Sequence, residues 1–189
     1  CMKRIVAAPT AGACRVLPAV LVPYFQKRCR NTDKILKAMY VAAGIGQIIA
    51  TRSSISGAAG GCQAEIGSAS SMAAGALTYL QGGNCEQIAT AAAMAMKNLL
   101  GLVCDPVAGL VEVPCVKRNV IGTVNAMACA DMAMAGIVSR IPPDQVMDAM
   151  KEVGDKMDAS LRETALGGLA RTEEGVKIAE KMHVSQENW

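Results

Sequence analysis

Apolar and polar positions recur at helical spacing along most of the chain, and glycine–proline punctuation cuts the pattern into segments. Ile35, Leu36, Met39 and Tyr40 fall at helical spacing, so a helix is expected over roughly 33–51, capped by Asn31 or Thr32. Ahead of it, IVAAPTAGA (5–13) reads as an extended entry into a turn, with Pro9 and Gly12 as punctuation. A first helix then runs to about Arg28, bent or restarted near Pro18 and Pro23. SSISGAAGG (53–61) is a loop whose glycines permit close approach of backbone. A third helix is expected from Cys62 to Gly82 and Gly83, a fourth over 86–100 behind an Asn84 cap, and a fifth from Lys117 to Val138. Pro142 and Pro143 force a break before a short helix to about Met157. Thr172, followed by Glu173 and Glu174, opens a last helix into a polar tail, 171–189.

Composition sharpens this into a fold class. Hydrophobic residues make up 52% of the 189 positions and aromatic residues only 3%, with Ala, Gly and Met prominent. Small side chains let helices approach closely and Met fills the gaps between them, whereas a sandwich or barrel draws on Val, Thr and aromatics. The expectation is an all-α compact bundle of six to eight helices, forming one helical domain over 1–189, with Gly/Pro-rich loops converging on a site. Mean hydropathy of +0.29 raises a membrane reading. The best candidate spans fail it, because 86–103 carries Glu86 and Lys97 and 119–138 carries Asp131.

Charge and cysteine usage exclude more. A net charge of +3, evenly spread, with no basic run interleaved with aromatics, argues against a nucleic-acid partner. Eight cysteines without a small-loop disulfide pattern point to a reducing, cytoplasmic setting. The start, CMKRIVAAPT, reads as that of a chain lacking an amino-terminal part. The single histidine, His183, falls in the polar tail and reads as a surface residue, which disfavours Ser-His-Asp, Cys-His and His-rich zinc chemistry. No phosphate loop, dinucleotide fingerprint or lysine in a pyridoxal phosphate setting is recognisable.

Cysteine remains. Cys62, Cys104 and Cys115 each stand at a loop–helix edge, whereas Cys1, Cys14, Cys29, Cys85 and Cys129 read as packing or incidental thiols. Thiolates at loop edges, with backbone N–H groups nearby, suit an iron–sulfur cluster. From spacing alone, with no CxxC, a disulfide between the two ends of LVCDPVAGLVEVPC (102–115) and plain core packing stay open.

The runs VAAPTAG, GGCQAEIGSAS, NLLGLVCDPVAGLVEVPCVKRN and LRETALGGLA together resemble the alpha chain of iron–sulfur-dependent L-serine dehydratase, from about Arg4 to Ala170. The resemblance implies an all-helical catalytic domain and a 4Fe–4S cluster held by Cys62, Cys104 and Cys115. With three protein ligands one iron keeps an open position and acts as a Lewis acid. L-Serine would be dehydrated and deaminated to pyruvate and ammonia without pyridoxal phosphate. Thr10, Ala11 and Gly12 are candidates for a carboxylate cradle, because PTAG precedes a helix. Lys97, Asn98, Lys117, Arg118 and Asn119 flank the cysteine loop and are candidates for holding substrate or cluster charge, with Lys97 assigned a catalytic role. Glu65, one turn past Cys62, is the candidate for the substrate ammonium or for the base. Asp105 reads as the cap of the Pro106 turn.

Arg15 departs from the family pattern, standing where a glycine is expected after APTAG. The family also carries a regulatory beta chain or domain, expected as a partner within a larger oligomer. The competing reading is an electron-transfer or regulatory iron–sulfur protein, which needs a fourth thiolate, and Cys14 is the candidate.

Overall fold

A computed structural model describes residues 6, 8–110 and 112–186. These residues form eight α-helices: α1 (Val16–Lys27), α2 (Thr32–Arg52), the short α3 (Gly57–Gly60), α4 (Ser68–Leu80), α5 (Cys85–Lys97), α6 (Cys115–Met134), α7 (Pro143–Lys156) and α8 (Glu173–Gln186). Among the described residues there is no strand, only one isolated parallel bridge between Cys104 and Arg162. The all-α expectation holds.

The element ends follow from local chemistry. Asn31 caps α2 by accepting a hydrogen bond from the Lys34 N–H at 3.0 Å. Asn84 and Gln87 form a reciprocal capping box at the start of α5. The Thr172 hydroxyl accepts from the Gly175 N–H at 3.2 Å, so most of the expected polar tail is a capped helix. The His183 side chain lies outside the described residues. The first helix is unbroken: Pro18 sits in its first turn, where no N–H is needed, and Pro23 lies inside it.

α4 is the central element. All of its residues except Tyr79 are buried, and it is surrounded by α1, α2, α5 and α6. Its sequence, SASSMAAGALTYL, explains how. Small side chains admit neighbours on every side, and three of the buried hydroxyls bond to carbonyls: Ser70 to Gly122, Ser71 to Ala92 and Thr78 to Ala74, each at 2.8 Å. A smaller apolar cluster, with Ile49, Met96 and Met150 at its centre, fastens α7 to α2 and α5.

One difference from the sequence reading bears on the site. The third helix begins at Cys62 as expected, but its first turn is not a regular α-turn. Gln63–Gly67 form a π-turn, and regular α-helix begins at Ser68. A single wide turn of this kind changes the direction in which successive side chains point. Gln63, fully buried, anchors it: its Nε2 donates to Met150 O at 3.0 Å and its Oε1 accepts from the Gly101 N–H at 2.9 Å. Below it, Gly154 of α7 packs against Gly60, where a Cβ would lie 2.9 Å from the Gly60 Cα.

Candidate functional site

Four segments meet beside the π-turn: the entry loop 8–15, the short α3, the cysteine loop 102–115, and the segment 158–171. Each is fastened by polar contacts. Buried Asn119 of α6 donates to Gly12 O (2.7 Å) and Cys115 O (2.8 Å), and its Oδ1 accepts from the Arg15 N–H at 3.2 Å. One amide therefore ties the PTAG loop to α6. The Arg15 main chain takes part in this tie, while its side chain is exposed. The segment 158–171 straps the cysteine loop: the Cys104 N–H donates to Leu161 O (2.8 Å) and the Glu163 N–H to Cys104 O (2.7 Å).

At the meeting point, Sγ of Cys62, Sγ of Cys104 and a carboxylate oxygen of Glu65 all lie within 4.8 Å of one another, and all three residues are buried. Cys115, buried at the start of α6, lies near enough to Cys62 for the two thiols to perturb each other's ionisation. The structure thus gathers the three cysteines that the sequence picks out, and each is a free thiol, so no disulfide joins Cys104 to Cys115. Crowding makes ionisation unfavourable. Hydrogen bonding to Cys104, then burial, pushes the Cys62 thiol up to about 12, and the neighbouring Cys62 thiol and burial push Cys115 up as well.

Glu65 occupies the remaining side. Its Oε1 accepts from the Thr10 hydroxyl at 2.7 Å. Burial raises its pKa, partly offset by the Thr10 bond, and the Glu163 carboxylate raises it further. Two glycines leave room here. A Cβ at Gly12 would lie 2.8 Å from Glu65 Oε2, and one at Gly57 would lie 3.0 Å from Cys104 Sγ and 3.2 Å from Glu65 Oε2. Arg118 reaches in from α6, its Nη1 donating to Val103 O at 2.7 Å and to Cys62 Sγ at 3.5 Å.

Asp105 corrects the sequence reading. It does not cap the Pro106 turn. It pairs with Arg118 at 2.8 Å, and its other oxygen accepts from the Leu169 N–H at 2.8 Å, joining α6 to the strap. Lys97 and Asn98 are also set apart from the thiols. Lys97 Nζ donates to Ser139 Oγ at 3.3 Å, and Asn98 Nδ2 donates to Asn125 Oδ1 at 2.9 Å and contacts Cys129 Sγ at 3.5 Å. Asn125 and Cys129 lie about three to four turns beyond Cys115 on α6, roughly 15–20 Å away at the helical rise, and Ser139 lies past the end of that helix. Lys117 is exposed on the outer side of α6. Flanking in sequence does not separate these residues: Arg118 and Asn119 turn into the site from the start of α6, whereas Lys97 and Asn98, at the end of α5, turn towards Ser139 and Asn125.

Two contributors escaped the sequence reading. Gly57 leaves the space beside Cys104. Glu163 faces Glu65 from the strap with a left-handed backbone (φ 63°), uncommon for a residue with a side chain. Its only sequence trace is the aperiodic stretch LRETALGGLA, where helical patterning lapses. Cys14, the candidate fourth thiolate, does not join the group. Among the described residues the fourth side is held by Glu65.

Comparison with known proteins gives one answer. The family model for the serine dehydratase alpha chain matches residues 1–170. A probable L-serine dehydratase alpha chain of Latilactobacillus sakei is 53% identical over 94% of this chain and 85% of that protein. A second, from Bacillus subtilis, is 53% identical over 96% of this chain but 60% of that protein, and the L-serine dehydratase alpha chain of Peptoniphilus asaccharolyticus is 50% identical over 94% and 61%. This chain therefore spans about three fifths of the length of two of these relatives.

Proposed function

Because this chain belongs to the serine dehydratase alpha chain family, we propose that it is the catalytic part of an iron–sulfur-dependent L-serine dehydratase, releasing pyruvate and ammonia. The observation that carries the reading is the convergence of three buried thiols, Cys62 from the start of the π-turn and Cys104 and Cys115 from the two ends of the cysteine loop, with Glu65 beside the first two. These residues fit a 4Fe–4S cluster: the donors are soft, the glycines at 12 and 57 leave space that a Cβ would fill, and Arg118 lies against the sulfurs. Cys62, Cys104 and Cys115 would hold it. When bound, it supplies a Lewis-acidic iron without a protein thiolate.

The chain's own residues do the rest. Glu65, buried and made more basic by that burial, takes the α-proton of L-serine. The Thr10 hydroxyl orients it through their 2.7 Å hydrogen bond. Thr10, Ala11 and Gly12 receive the substrate carboxylate, and Asn119 holds that loop in position. Arg118 and Asp105 hold the cysteine loop against the strap. Loss of the β-hydroxyl as water leaves 2-aminoacrylate, which tautomerises and hydrolyses to pyruvate and ammonia. The reading includes a beta regulatory chain as partner, an oligomeric holoenzyme and a cytoplasmic location. Among the described residues no helix is long and apolar enough to cross a membrane.

The test is anaerobic reconstitution with iron and sulfide, alone and with a beta chain. A broad visible absorption band and pyruvate formation from L-serine are expected, and both should be lost in Cys62→Ala, Cys104→Ala and Cys115→Ala. Retention of the band in all three variants would refute the ligand assignment.

A further inference from the structure

Glu163 reaches the site from the strap with its carboxylate unmatched. Its backbone is fixed there by the 2.7 Å bond from its N–H to Cys104 O, in the left-handed region (φ 63°) that a residue with a side chain adopts at an energetic cost. The carboxylate is exposed, and among the described residues no lysine or arginine pairs with it. Glu65, although buried, offers a second unmatched oxygen: Thr10 occupies its Oε1, while no donor among the described residues bonds to its Oε2. Both carboxylates face one opening, because a Cβ at Gly57 would lie 3.2 Å from Glu65 Oε2 and 3.4 Å from Glu163 Oε2.

We propose that Glu163 binds the α-ammonium of the substrate and so selects amino acids over carboxylates that lack one, an inference that rests on the reading of the chain as an L-serine dehydratase. An amino acid carries both charges on a single carbon, together with the proton to be removed. The site has matching sides. On one, the PTAG loop receives the carboxylate, and a Cβ at Gly12 would lie 2.8 Å from Glu65 Oε2. On the other, beside Gly57, the same oxygen shares its opening with Glu163. Glu65 Oε2 therefore stands between the two binding groups, against the carbon that bears them and its proton.

Charge assigns the two carboxylates different tasks. An ammonium held by Glu65 alone would weaken it as a base, whereas a second carboxylate takes up that charge and leaves Glu65 for the proton. Arg118, the cation that reaches the thiols, is committed to Asp105 and Val103 O and leaves Glu163 free. Two like charges around one opening repel, and an arriving ammonium cancels that repulsion. A ligand without one leaves it in place, so the pair rejects such ligands as well as attracting the right ones.

Calorimetric titration of the anaerobically reconstituted protein, assembled with a beta chain, tests this with two ligands that cannot lose a hydroxyl: L-alanine, and propanoate, which is L-alanine without its ammonium. The unaltered protein should bind L-alanine about tenfold or more tighter than propanoate. Glu163→Gln should remove about that factor from L-alanine while leaving propanoate within about twofold, and Glu163→Asp should recover part of it. KM for L-serine should rise in Glu163→Gln by more than kcat falls. A preference for L-alanine that survives Glu163→Gln, or an equal weakening of both ligands, overturns the proposal, while the visible band and pyruvate formation of the unaltered protein still uphold the lyase reading. An unaltered protein with neither band nor pyruvate overturns that reading, and this proposal with it.

Discussion

Glu65 is the residue on which the site turns. It is buried beside two thiols, with Thr10 as its hydrogen-bond partner, and its folded pKa stands above the ordinary 4.5. A carboxyl raised in this way contributes stability below its unfolded pKa and loses it as pH rises through the folded value. At neutral pH the ionised side chain therefore costs the metal-free chain stability. Glu65→Gln, which keeps the shape and can still accept from Thr10, is expected to raise the thermal unfolding midpoint of the metal-free chain at neutral pH while abolishing pyruvate formation in the reconstituted enzyme. Lys97→Ala should leave kcat and KM unchanged, because its ammonium is engaged with Ser139 well away from the thiols. Differential scanning calorimetry and steady-state assays of the two variants check both statements.

Single buried amides fasten the elements around the site, in addition to the apolar core that Cys62, Cys104 and Cys115 share. Asn119 makes three hydrogen bonds with 2% of its surface exposed. Asn119→Ala would leave the Gly12 carbonyl without its partner and release the Arg15 N–H from α6, at a cost of about 1–3 kcal/mol. Denaturant unfolding should register that loss. KM for L-serine should rise more than kcat falls, since the residue positions the PTAG loop and touches no reacting atom. The π-turn plays a comparable part for Cys62. Gln63 pins it to α7 and to the turn at Gly101, so the thiol is aimed by two hydrogen bonds of its neighbour.

For the molecule as a whole, what was legible from the sequence divides along physical lines. Periodicity and caps reveal every helix except the short α3, which falls in a stretch that reads as loop, because each of the others is set by residues within a few positions of itself. The three cysteines are legible through the motifs around them. The roles of Asp105, Glu163 and Lys97 are not, because each depends on contacts far along the chain: Asp105 with Leu169, Glu163 with Gly57 and Glu65, Lys97 with Ser139. The interior also sets a response to alkali. Hydrogen bonding and burial raise Cys62 from 9.0 to about 12, and burial raises Cys129 to about 11. Thiols with raised folded pKa values stabilise below the unfolded value and lose that contribution as pH climbs through the folded one. The unfolding midpoint of the metal-free chain should therefore fall between pH 9 and about 12, and less steeply in Cys129→Ala. A midpoint that stays level over that interval would contradict the burial of these thiols.

The bridge between Cys104 and the strap carries a last consequence, for amide exchange. The Cys104 N–H is bonded to Leu161 O and the Glu163 N–H to Cys104 O, so both protons are shielded by one contact between segments far apart in the chain. Lifting the strap would expose both to deuterium together while α4 stayed closed. These two amides should exchange at a common rate, faster than those of the bundle interior, and that rate times the opening of the strap directly.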